Sequence, residues 1–142
     1  MHELLKLALV PVLSDIRSSG VPEPSVVDGD WSEDPMDATA FMNSADGSSI
    51  GLRVQVDGTP TEQIVAVADQ VQEWVIEELW TVGATNWPQC PHHPESHPLS
   101  AATRDGVGVW ACPTDTTAIS IIGGLAAPSA DAPPPPGGLA GT

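Results

Sequence analysis

The sequence predicts an α+β fold: an N-terminal helix, an antiparallel β-hairpin, a long central helix and a metal-stapled C-terminal β segment of knuckle or ribbon type. Three observations carry this prediction. Apolar residues recur at helical spacing near the N-terminus and again after Thr59. They alternate with a period of two between Ile50 and Val56. Both cysteines and three of the four histidines fall between residues 90 and 112. A chain of 142 residues suits one domain. It is placed at 1–125, with 84–125 as its Cys/His metal-binding subregion.

From Glu3 to Ser18, Leu5, Leu9, Val12, Leu13 and Ile16 share one helical face. Pro11 lacks an N–H and crowds the carbonyl four residues back, which predicts a kink or two short helices. Gly20 is the expected stop. The same stretch, Leu4 to Leu13, is the one candidate for a secretory signal. Glu3 precedes it, Lys6 interrupts it and no small-x-small site follows closely, so a buried helix is the reading. Residues 21–37 are rich in Pro, Asp, Glu and Ser and read mostly as loop, with a short apolar piece at Val26-Val27.

The hairpin is expected from Ala38 to Met42 and from Ser49 to Val56, turning at Asp46-Gly47. Ile50, Leu52, Val54 and Val56 would face the central helix, and the hairpin would share one sheet with the C-terminal strands. Thr59-Pro60-Thr61-Glu62 combines an N-cap, a proline at the first helical position and the glutamate of a capping box. The helix should run to about Trp80, with Ile64, Val67, Ala68, Val71, Val75, Leu79 and Val82 as its apolar stripe. Asp69, Glu73 and Glu77 repeat every four residues on another face. Such like charges belong to a solvated face, or else to a contact surface for a basic partner. Strands are expected at 106–112 and 117–122, with a turn at Pro113–Thr116. The Pro/Gly/Ala-rich stretch 126–142, with Pro133 to Pro136 followed by two glycines, cannot build a core and is expected to be a disordered tail.

Four Lys/Arg face nineteen Asp/Glu, a net charge of -15. So few cations argue against a nucleic-acid backbone binder and against docking on an anionic membrane. The acidity is local. Residues 21–83 hold thirteen acids against Arg53 alone, whereas the Cys/His stretch is almost neutral. No apolar run is long enough to span a bilayer. Two cysteines do not make a disulfide framework, so the cytoplasm is the default compartment.

The chemical signal is Trp87-Pro88-Gln89-Cys90-Pro91-His92-His93-Pro94-Glu95-Ser96-His97-Pro98-Leu99, closed by Trp110-Ala111-Cys112-Pro113. Cys90 and His93 have C-x-x-H spacing, His97 follows four residues later, and Cys112 comes after fourteen more. Two thiolates and two imidazoles make a full tetrahedral set for Zn²⁺, and their softness selects it over harder cations. Pro91, Pro94 and Pro98 bar a helix through the histidines, so a loop of knuckle type is expected, not a metalloprotease helix. Trp87 and Trp110 would cover the site. His92 could replace His93 if the loop turns differently, and the competing readings are a Cys90–Cys112 disulfide, two unrelated buried thiols, or histidines that are ordinary surface residues on a proline-stiffened loop. His2 reads as a surface residue.

The Trp87-Pro88, Cys90-Pro91, His93, His97-Pro98-Leu99 and Val109-Trp110, Cys112-Pro113 elements, with the helix Val67–Trp74, resemble a pattern in small proteins of high-GC Gram-positive bacteria. The likeness covers roughly residues 60–125. It implies a shared metal site and no particular activity.

Three functions follow. The first is a non-enzymatic, zinc-stapled protein-interaction module, whose acidic middle meets a basic partner. The second is an acidic inhibitor or immunity-type protein that blocks a basic or nucleic-acid-binding partner. The third is a small metal-dependent hydrolase with three ligands, a bound water and Glu95 or Asp115 as base. No Gly-rich phosphate loop, H-E-x-x-H or G-x-S-x-G supports an enzyme.

Overall fold

A computed structural model of the protein describes residues 1–81, 83 and 86–125. The expected tail at 126–142, the first two residues of the 84–125 subregion and Val82 of the helix stripe lie outside the described residues. The fold is α+β, with two helices and two small antiparallel sheets.

Helix α1 (Glu3–Ser19) begins where His2 Nδ1 accepts the Leu4 N–H at 3.2 Å, so His2 is a helix cap. The helix ends at Gly20, whose φ of 73° lets its N–H return to the Ile16 carbonyl. Of the two arrangements expected at Pro11, two short helices do not form: α1 is one element through Pro11. The carbonyl that Pro11 leaves without an N–H belongs to Leu7. Leu7 and Val10 are open to solvent on that side, where water can serve the freed carbonyl.

The first sheet has the order β1-β2-β3, formed by β1 (Ser25–Asp28), β2 (Asp37–Asn43) and β3 (Ser49–Gln55). The β2–β3 hairpin turns at Asp46-Gly47 as predicted, with Gly47 at φ 93°. Strand β1 occupies what the sequence suggested was loop. Its Val26-Val27 core pairs with Met42 and Phe41. Ala38, Ala40, Met42, Leu52 and Val54 point into the core. Ile50, expected on that face, sits toward the hairpin tip and is 43% exposed, while Val56 is only partly buried.

Helix α2 (Pro60–Trp80) carries the predicted capping box, with Thr59 Oγ1 accepting the Glu62 N–H and Glu62 Oε1 accepting the Thr59 N–H. Val67, Ala68, Val71, Val75 and Leu79 are buried as the periodicity requires. Gln63, Gln72 and Trp74 join them. Asp69, Glu73 and Glu77 are exposed. The helix is the hub of the fold, packing against α1, β3, β4 and β5.

The second sheet has the order β4-β5-β6, formed by β4 (Ser100–Arg104), β5 (Val107–Ala111) and β6 (Ala118–Ile121). It does not join the first, which corrects the single sheet expected. The Gln70 side chain of α2 takes both main-chain groups of Arg53 on the edge of β3, accepting its N–H at 3.0 Å and donating to its carbonyl at 2.7 Å. A helix side chain thus occupies the edge that another strand would have needed.

Candidate metal centre

The centre is built by two segments held from two sides. Residues 87–99 form an irregular loop whose ends meet: Leu99 N–H donates to the Pro88 carbonyl at 2.8 Å, and Gln89 bridges Pro98. Within it, the His93 N–H returns to the Cys90 carbonyl at 3.1 Å. That tight turn puts residues three apart on the same side, as a knuckle requires, and no helix passes through the histidines. Cys112 follows the last residue of β5. Its N–H and carbonyl bond Thr117 O and Thr116 N across the β5–β6 turn, which fixes its position.

One ligand atom from each of Cys90, His93, His97 and Cys112 lies within 4.8 Å of the others, so the four could hold a metal ion. His93 Nδ1 is 3.7 Å from Cys90 Sγ and 3.6 Å from Cys112 Sγ. Zinc at its ordinary bond lengths in a tetrahedron holds sulfur and nitrogen ligands about 3.6 Å apart. His97 Nε2 stands 4.0 Å from Cys112 Sγ, and Thr114 Oγ1 is 3.1 Å from the same nitrogen. His97 Nδ1 faces the Pro98 carbonyl at 3.1 Å. A carbonyl can only accept, so Nδ1 is the donor there and Nε2 is the nitrogen turned toward the cluster.

The alternative histidine is placed elsewhere. His92 is about half exposed and its Nδ1 faces Asp115 Oδ2 at 3.2 Å. Asp115 is itself tied into the β5–β6 turn. Hydrogen bonds from Thr117, its backbone N–H first, hold the carboxyl well below the usual carboxylate range, with smaller help from His92. Glu95, considered as a base, is exposed and outside the four-residue cluster.

Cys90 and Cys112 are 0% and 1% exposed and belong to the main core cluster with Trp87 and Trp110. The two tryptophans meet edge to face, with ring centroids 5.5 Å apart. Burial pushes the Cys112 thiol above its ordinary range. The cysteines are free thiols in the structure.

Two buried polar residues secure the centre, and the sequence reading passed over both. Gln72 of α2 sends its amide between the loop ends, donating to the carbonyls of Trp87 (3.1 Å) and Leu99. Asp15 of α1, 0% exposed, accepts from Trp110 Nε1 at 2.8 Å, Gly123 N at 2.7 Å and Leu125 N at 2.9 Å. Each was visible as a single polar residue on an otherwise apolar helix face, Asp15 beside Val12 and Ile16, Gln72 between Ala68 and Val75. A buried polar group persists only where it has partners, so such a position marks a tie to another segment.

No protein-family model, curated protein or solved structure matches this chain. No helix among the described residues is long and apolar enough to cross a membrane.

Proposed function

We propose that the chain is a non-enzymatic protein-interaction module whose C-terminal sheet is stapled by one structural zinc ion on Cys90, His93, His97 and Cys112. The observation that carries this reading is the convergence of two buried sulfurs and two imidazole nitrogens, from segments separated by a strand pair, onto one point. A four-ligand set leaves no position for water or substrate, so the ion contributes folding free energy and not catalysis. Thiolates kept for a metal fit a reducing compartment, and we place the protein in the cytoplasm. The acidic stretch 21–83 then serves recognition of a basic protein.

Native mass spectrometry of the full chain purified without added metal tests the staple. One zinc per chain, lost on denaturation and absent from Cys90→Ser, is expected. A metal-free protein two daltons lighter than the reduced mass would mean a disulfide, and both the staple and the compartment would fall. Capture of a basic protein that is released by salt tests the interaction.

A further inference from the structure

The first sheet has a second face, turned away from the helices, on which Val27, Phe41 and Gly51 stand in one cross-strand row. Two aromatic rings crowd glycines there. A Cβ on Gly29 would collide with the Phe41 ring, and a Cβ on Gly51 would come within 2.8 Å of the Trp31 indole. The Trp31 N–H donates to the Ala40 carbonyl at 2.9 Å, which pins the ring. Trp31 nonetheless remains 40% exposed, as does Val27.

The loop that delivers Trp31 is organised in advance. Thr39 Oγ1 donates to the Gly29 carbonyl at 2.6 Å, Ser32 Oγ to Asp37 Oδ2 at 2.7 Å, and the Met36 N–H to Asp34 Oδ1 at 2.9 Å. The same loop is acidic. Asp30, Glu33 and Asp34 are exposed and make no ion pair among the described residues. The neighbouring cation, Arg53, is 3.6 Å from Asp37 and so already has a counter-charge.

An exposed, pinned indole flanked in the chain by unpaired carboxylates is suited to one kind of occupant. A cationic side chain stacks on the ring quadrupole while the carboxylates hold its charge, and arginine does this best because its planar guanidinium is weakly hydrated. We propose that this outer face of β1–β3 is the docking site for an arginine-bearing basic segment of a partner protein, with a guanidinium seated on Trp31. The proposal rests on the reading of the chain as an interaction module, and gives that module its contact surface.

A competing surface exists on α2. Asp69, Glu73 and Glu77 are exposed there, with Trp80 at the helix end. Trp80 is 63% exposed on the last helical residue and its indole N–H makes no hydrogen bond among the described residues, so seating a ligand on it carries an ordering cost that the pinned Trp31 ring does not.

The test is titration of the isotope-labelled, zinc-loaded full chain with hexa-arginine and hexa-lysine peptides, read by nuclear magnetic resonance at about 20 mM and about 300 mM salt. The largest shifts are expected at the Trp31 indole N–H and at the amides of Val27, Phe41 and Gly51, with arginine binding tighter than lysine. Trp31→Leu, which keeps apolar cover over Gly51 without the π face, should weaken hexa-arginine about fivefold, and Trp80→Leu should leave it unchanged. If Trp31→Leu disturbs the fold, the double variant Asp30→Asn, Glu33→Gln gives the same decision by weakening binding about threefold. Shifts centred on Asp69 to Trp80, or unchanged affinity in these variants, would overturn the location and leave the interaction reading standing. No binding of either peptide at low salt would overturn both, whatever the zinc content.

Discussion

The β1–β3 sheet sends five side chains that are at most 3% exposed into the core: Ala38, Ala40, Met42, Leu52 and Val54. In the β4–β6 sheet only the central strand contributes buried residues, because no residue of β4 or β6 is fully buried. The first sheet is therefore held by apolar area against α1 and α2. The second buries its area through one strand, chiefly Val109, Trp110 and Ala111, and adds discrete ties: Gln72 to the loop ends, Asp15 to Trp110 and the 123–125 segment, and the Cys/His cluster. The difference teaches where a metal is useful. A sheet whose outer strands are only partly buried gains most from a few strong, fixed bonds.

Removing the proposed metal should break the comparison most severely. Zinc removal by a chelator, or Cys90→Ser, should lower the melting temperature by at least about 10 °C. Hydrogen exchange should show where the loss falls. Amides of β5 and β6 should lose protection first, while β2 and β3 stay protected until global unfolding. Simultaneous loss in both sheets would mean that the metal holds the whole domain.

Leu52→Ala attacks the other side. Leu52 is 0% exposed in the first sheet, and its truncation should cost about 3 kcal/mol by denaturant unfolding. Zinc content of the folded protein should remain one per chain. A variant that loses zinc while still folded would show that the two sheets are not independently secured.

Gln72→Leu tests the tie between α2 and the loop of the metal centre. It removes one amide and leaves the Trp87 and Leu99 carbonyls without that donor, at about 2 kcal/mol. The loop that presents Cys90 and His93 then loses its support, so zinc affinity should fall about tenfold in competition with a chelator. Lost stability with unchanged affinity would make Gln72 a packing residue only.

The same contrast explains what was legible in the sequence. Alternation at Leu52 and Val54, the capping box at Thr59 and the stripe on α2 are repeated or local signals, and those elements are present. The cysteines and histidines announced their cluster through spacing and residue type. Strand β4 was missed, although Asp105-Gly106, with φ values of 52° and 78°, is a strong two-residue hairpin turn between Arg104 and Val107. Strand β1 is four residues long at a sheet edge after two prolines, and its pairing with β2 is set by tertiary contact more than by pattern. Where the sheets part, the Gln70 side chain bonds the edge of β3, a contact that no periodicity encodes.

The smallest effect belongs to His92, and it sharpens the assignment of the centre. His92 and His93 are adjacent, and either could satisfy a loop ligand by spacing. In the structure His93 Nδ1 lies between the two sulfurs, while His92 is about half exposed and faces Asp115. His92→Ala should therefore keep one zinc per chain and shift the melting temperature by no more than about 2 °C, as for an ordinary surface substitution. His93→Ala should lose tight zinc binding. Cobalt titration provides the finer reading, because the visible spectrum of the bound ion reports its ligands: it should be unchanged by His92→Ala and altered by His93→Ala and His97→Ala. The reverse result at 92 and 93 would mean that the loop turns the other way, with the knuckle closing through the histidine that the Asp115 contact now draws outward.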